Sequence, residues 1–331
     1  MERFALAAAV VLGFALTAAL CSLFVPLRRV LERREQQQQP VQSEQPRPAP
    51  LRAPLWGGLC AAAGTVAAVG VGWLAACVGQ PELLGSEGRL MTRLLTALAG
   101  SLAFGAVGLA EDLARMRSPA ALGLRRDVRL LLEALAAAFV LLLLRAAGCL
   151  PRGLGVPGAG YVLLGSAVPF LWAVLMVVLA ECARIAERDE GAVCGAAFVA
   201  MLALMMVEAG LGVSGLAVLP GALAGALVAL GLWAFPPARL GVGCCGSLLA
   251  AGAIGCIPLS LDMTSLTVPL ALPFWAAGGL LAAQLLCAKR TGKPLRCWVK
   301  KHKMSPETVF LCSFALSAVG YVLALALLRW C

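Results

Sequence analysis

Phe104 to Glu133 reads FGAVGLAEDLARMRSPAALGLRRDVRLLLE. Its first residues close an apolar stretch of membrane length. The acidic pair Glu111-Asp112 follows, then a basic loop, and Arg129 and Glu133 open the next apolar stretch. A helix crossing the hydrocarbon core takes about 20 predominantly apolar residues. Two adjacent carboxylates at the edge of such a segment are costly unless something cationic meets them. The stretch therefore sets two expectations: consecutive membrane crossings, and a charged site where they surface.

The rest of the chain agrees with the first. Of 331 residues, 61% are hydrophobic and only 13% charged, and the mean hydropathy is +0.91. A soluble domain is about 45–50% apolar and about 25% charged. The apolar stretches are long, continuous and rich in Leu and Ala rather than alternating, which excludes a β-barrel. The expected fold is all-α, a single polytopic membrane domain over residues 1–331. Ten spans are expected, near 4–27, 55–78, 90–109, 130–148, 161–180, 192–211, 215–235, 246–262, 266–287 and 307–328. The first reads as a retained helix rather than a cleaved signal peptide. Residues 28–54, with the run QQQQPVQSEQPRPAPLRAP, read as a flexible Pro/Gln-rich loop.

Arg and Lys orient the spans. Alternate loops hold 21 of the 27 basic residues, against 6 on the opposite side. By the positive-inside rule the rich side is cytoplasmic and both termini are extracytoplasmic. The net charge of +10 is thereby accounted for by short loops, and a nucleic-acid surface is excluded. The thirteen Cys form neither a CxxC nor a Cys/His set and read as small hydrophobes.

The clusters that carry chemistry share the cytoplasmic side, and four of them occur in a known order. They are Ala53-Pro54-Leu55-Trp56-Gly57-Gly58; Glu181 to Gly195, ECARIAERDEGAVCG; Pro220 to Gly252, PGALAGALVALGLWAFPPARLGVGCCGSLLAAG; and Ala288 to Val309, AKRTGKPLRCWVKKHKMSPETV. With the acidic pair they resemble the polyprenyl-phosphate phosphosugar transferases of glycosyltransferase family 4. The pattern is most similar to the phospho-MurNAc-pentapeptide transferases (MraY-type) of cell-wall biogenesis. The resemblance implies a multi-pass protein of the bacterial cytoplasmic membrane with its site on the cytoplasmic face. It implies polyprenyl phosphate and a UDP-sugar as substrates, UMP as product, Mg²⁺ as cofactor, and a homodimer or a complex with an intact family member as the assembly. Carried onto this chain, Glu111 and Asp112 take the metal and catalytic positions. Arg129, Arg184, Glu187, Glu190, Lys293 and Ser247 take substrate-binding positions.

The residues inside the frame depart from the family. Glu111 stands for the first Asp of its acidic pair. Arg129 and Glu133 stand for Lys and Gln, and Glu181 and Arg184 for two Asn. Cys244 replaces an Asp thought to ligate Mg²⁺, and a neutral thiol is a poor ligand for a hard cation. The triple-His box has no counterpart, and His302, the sole His, lies among lysines. Two readings stand. The chain is either a catalytically impaired relative that binds a lipid phosphate or a protein partner, or an active Mg²⁺-dependent transferase with a rebuilt site. The residues also admit plainer roles: an acidic pair balanced by Arg115 and Arg117, an intrahelical Arg129–Glu133 pair, and a solvated loop at Glu181–Gly191.

Overall fold

The computed structural model describes residues 2–38, 56–79, 88–117, 123–151, 153–156, 160–163, 165, 167–187, 190–213, 215–235, 238–291 and 306–330. In chain order the helices are α1 (Glu2–Gln38), α2 (Gly57–Gly79), α3 (Gly88–Arg117), α4 (Arg126–Ala146), α5 (Ala167–Ala186), α6 (Glu190–Gly210), α7 (Val218–Ala234), α8 (Gly243–Ser260), the short α9 (Thr267–Leu270), α10 (Leu272–Thr291) and α11 (Pro306–Trp330). Among the described residues, seven helices are long and apolar enough to cross a membrane. The bent α9–α10 pair, broken by 64°, makes an eighth candidate. The chain is thus an all-α polytopic membrane protein.

Each of the ten expected stretches coincides with a helix, but α4 and the 17-residue α7 are not among the candidate crossings, and some ends differ. The span expected at 161–180 begins at Ala167 instead. Before it, β1 (Gly153–Val156) and β2 (Gly160–Leu163) pair as an antiparallel hairpin, with Gly153 opposite Leu163 and Val156 opposite Gly160. Gly and Pro crowd this stretch, and both disfavour a helix interior. At the other limit, α3 runs on to Arg117, carrying Glu111 and Asp112 on a helix rather than into a loop. Helix α1 likewise extends over residues 28–38, the first part of the expected loop. Residues 39–54 of that loop lie outside the described residues.

Helix α8 is the axis of the bundle, because every residue from Gly243 to Ser260 is buried. It bears no charge, and Gly246, Ala250, Ala251, Gly252 and Ala253 keep it slim enough for neighbours to pack on all sides. Small residues are what let helices approach closely where lipid supplies no hydrophobic driving force. The large residues point outward. Leu74, Val78, Leu142, Phe170, Leu232 and Val322 are all exposed, as a lipid-facing surface requires.

Helix α3 packs antiparallel along α8, and its glycines bring the two backbones together. A Cβ at Gly108 would overlap the Cys244 carbonyl. On the other flank, Gly58 of α2 leaves no room for a side chain against Cys245 and Gly246. The Gly57 and Gly58 amides donate to the Gly241 and Val242 carbonyls at 3.2 and 3.0 Å. The Trp56-Gly57-Gly58 stretch and the Gly243–Ser247 stretch, distant in sequence, therefore meet beside the acidic pair.

Candidate functional site

Asp112 lies one helical turn beyond Gly108, so the close approach of α3 carries its carboxylate under the first turn of α8. Oδ1 accepts the Cys244 amide at 3.0 Å and Oδ2 accepts the Cys245 amide at 2.9 Å. The first amides of a helix have no partner within it, and its dipole favours negative charge at that end. Asp112, fully buried, fills both needs from another helix.

Glu111 and Arg115 are one turn apart on α3. Arg115 Nη2 donates to Glu111 Oε1 at 2.8 Å. Its Nη1 reaches across to Glu187, just past the end of α5, donating to Oε1 and Oε2 at 3.1 and 3.2 Å. The same Nη1 lies 4.0 Å from Asp112 Oδ1. One guanidinium therefore faces three carboxylates. The Cys244 thiol also meets Glu187, donating to Oε2 at 2.8 Å.

A second group lies beside the first. Arg129 Nε donates to Glu181 Oε1 at 2.8 Å, and Arg184 Nη2 donates to Glu181 Oε2 at 2.7 Å. Arg129 Nη1 also lies 3.6 Å from Glu111 Oε1, joining the two groups. Glu133 is buried close by, in the field of Glu181, Arg129, Arg184 and Glu111. Neither of its oxygens has a hydrogen-bond partner. The intrahelical Arg129–Glu133 pair is thus not formed: Arg129 turns to Glu181 and Glu111, which belong to other helices and offer contacts at 2.8 and 3.6 Å. Glu181 and Arg184 are helical and half-buried, rather than part of a solvated loop.

The other expected residues fall differently. Ser247 is buried inside α8, and its hydroxyl bonds back to the Gly243 and Cys244 carbonyls at 3.3 and 3.2 Å. Glu190 is the first residue of α6, and Lys293 lies outside the described residues. Arg115, expected only as a balancing charge, takes the central place. Its signal was present in the i, i+4 spacing from Glu111, with Gly108 one turn before Asp112.

These residues can be tested against a bound divalent cation. Asp112, Glu187 and Cys244 each place one ligand atom within 4.8 Å of the others. Mg²⁺ needs near-ideal octahedral oxygen coordination at about 2.0–2.1 Å, and here one of the three donors is a thiol. By Coulomb's law a doubly charged ion about 4 Å from Arg115 is repelled by about 8 kcal/mol at an effective dielectric of about 20, while two carboxylates at that distance attract it by about 16 kcal/mol, so what decides is that the ligand oxygens are already held. Glu111 and Glu187 are held by that same Arg115, and Asp112 by two amides. As arranged, the cluster does not fit a hard divalent cation. It fits a guanidinium.

Comparison with known proteins points to one family. The profile of glycosyl transferase family 4 matches residues 94–262. That region runs from α3 to just past α8 and holds every described member of the charge cluster. The phospho-N-acetylmuramoyl-pentapeptide-transferase of Desulforudis audaxviator (strain MP104C) is 33% identical over 170 residues, covering 48% of this chain. The match spans about half the length of that relative, 50%.

Proposed function

The chain belongs to glycosyl transferase family 4, and from that premise we propose that it is a diverged member that keeps the scaffold of phosphosugar transfer but not its metal-dependent step. In this reading it serves cell-envelope synthesis in the bacterial cytoplasmic membrane, binding a polyprenyl phosphate or an intact relative rather than turning over a UDP-sugar. It crosses the membrane ten times with both termini outside, which puts the charge cluster on the cytoplasmic face. The basic loops support that orientation, with 21 of 27 Lys and Arg on one side.

One observation carries the reading: the acidic groups that would gather a cation are already engaged. Asp112 is bound by the first amides of α8, and Glu111 and Glu187 are bound by Arg115. The basic groups that would hold a phosphate are engaged as well, since Arg129 and Arg184 grip the two oxygens of Glu181.

A second reading, an active transferase moving a phosphosugar from a UDP-sugar to polyprenyl phosphate, has its own support. Five acids (Glu111, Asp112, Glu133, Glu181 and Glu187) face three arginines (Arg115, Arg129 and Arg184) in the described cluster. Glu111 Oε2 and both oxygens of Glu133 accept no hydrogen bond. That acid excess leaves room for a cation if the arginines move aside.

UMP exchange separates the two. The purified chain is given polyprenyl phosphate, Mg²⁺ and a panel of UDP-sugars, with labelled UMP as tracer. No exchange is expected. Mg²⁺-dependent exchange that disappears in Asp112→Asn would overturn the proposal and establish the second reading.

A further inference from the structure

We infer that Arg115 is a built-in cation, which occupies the acidic centre in place of a divalent metal and closes that centre to metal ions. The inference deepens the proposed loss of metal-dependent transfer and rests on it. It adds which group takes a cation's place there and what would open the centre to a metal ion.

Three features single out Arg115. Its guanidinium lies between Glu111, Glu187 and Asp112, with three hydrogen bonds of 2.8 to 3.2 Å to the first two and a 4.0 Å approach to the third. These carboxylates come from two separate stretches of chain, the end of α3 and the end of α5. Binding them together is what a metal ion does in such a place. An arginine is permanently charged and its planar fork suits carboxylates.

The surroundings are fitted to that side chain. The loop before α4 passes over its stem at Gly123, whose φ is +71°. A Cβ there would lie 3.1 Å from Arg115 Cγ and 3.4 Å from its Nε. A backbone conformation that favours glycine therefore lies where the stem needs space. Arg115 also stands in the last turn of α3, where the helix dipole favours a cation. On the far side, the Cys244 thiol donates to Glu187. The neutral thiol adds no negative charge that a second cation would be needed to balance.

The swap has a consequence for charge. A guanidinium brings one positive charge, where Mg²⁺ or Mn²⁺ brings two, and it cannot accept a ligand oxygen. Arg115 therefore holds the carboxylates together without offering a Lewis-acid centre. Removing it leaves Glu111, Asp112 and Glu187 facing one another without their shared cation, and a divalent ion then becomes the favourable occupant.

The test is Mn²⁺ binding to the detergent-purified full chain, read by electron paramagnetic resonance without any sugar or lipid substrate. The wild type is expected to leave Mn²⁺ free at concentrations up to about 1 mM, whereas Arg115→Ala and Arg115→Gln bind one ion per chain at least about tenfold more tightly. Arg115→Lys, which keeps the charge, is expected to stay closed. Uptake of one Mn²⁺ per wild-type chain would overturn the inference. So would two folded neutral variants that gain no site. If both neutral variants fail to fold, the wild-type measurement decides alone, exclusion supporting the inference and uptake overturning it. The outcome is separable from the functional proposal. Mn²⁺ uptake without UMP exchange defeats only this inference, and metal-independent exchange without uptake defeats only that proposal.

Discussion

Replacing Asp112 with Ala removes the anion beneath α8 and leaves the Cys244 and Cys245 amides buried without partners. Hydrogen bonds to a charged group contribute roughly 1.5–3 kcal/mol each. Two such bonds, at 3.0 and 2.9 Å, set the loss at about 3–6 kcal/mol, and the helix-dipole contribution of up to about 2 kcal/mol overlaps with it. Burial of the carboxylate keeps this interaction from being screened as a surface pair is. Asp112→Asn keeps one acceptor oxygen but turns an NH₂ toward a donor, so its loss should be about half as large. The assay is reversible unfolding of the chain in mixed micelles by SDS titration. Trp172 serves as a fluorescence reporter, because its Nε1 donates to the Gly255 carbonyl on α8 at 3.2 Å. The buried Cys244 and Cys245 supply a second readout, and their maleimide labelling should accelerate as the first turn of α8 loosens. Because the role assigned to Asp112 is a helix cap, the loss should be the same in EDTA and in Mg²⁺. If Asp112→Ala is within about 0.5 kcal/mol of wild type, the size of an ordinary surface substitution, and labelling is unchanged, the capping role of Asp112 is refuted. A loss that appears only with Mg²⁺ present would refute it too.

Three further outcomes follow from the same geometry. Gly108→Ala sets a methyl group onto the Cys244 carbonyl and should cost about 1–3 kcal/mol, the range for overpacking; the same SDS titration checks it. Glu133→Gln removes a buried carboxylate whose oxygens accept no hydrogen bond, so stability should hold or rise. A drop of more than about 1 kcal/mol would reveal a cation that Glu133 serves. Glu181→Gln weakens the acceptor shared by Arg129 and Arg184. It should destabilise the chain by about 1–3 kcal/mol, and inorganic pyrophosphate should recover part of the loss, as the freed arginines take a replacement anion.

The sequence and the structure agree best where hydropathy alone decides. A run such as Gly191–Gly210 has one way to hide its backbone in a bilayer, and it is a helix in both. Agreement weakens where tertiary partners decide. Glu111 and Asp112 looked like the end of a span, because charge is costly in an apolar segment. Yet α3 continues to Arg117, since Arg115, Arg129 and the amides of α8 meet that charge inside the protein. The Arg129–Glu133 spacing is that of an intrahelical pair, but a single sequence does not reveal that Glu181 stands 2.8 Å from Arg129. Ser247 carried a substrate-binding expectation through its motif, and its hydroxyl is turned to the backbone of its own helix. The hairpin at 153–163 was hidden because its apolar residues continue into those of α5. Of the stretches in that motif order, Gly57-Gly58, Glu111-Asp112, Glu181 to Glu187 and Gly243 to Ser247 converge in one cluster, while residues 292–305 of the Ala288–Val309 stretch lie outside the described residues.

A guanidinium stands at the acidic centre. An experimental structure of the chain prepared with Mn²⁺ tests it most directly, with anomalous scattering at the manganese edge to report the metal. Density is expected for Arg115 between Glu111 and Glu187, with no manganese peak among Asp112, Glu187 and Cys244. A manganese peak there, with Arg115 swung away from the three carboxylates, would contradict that placement.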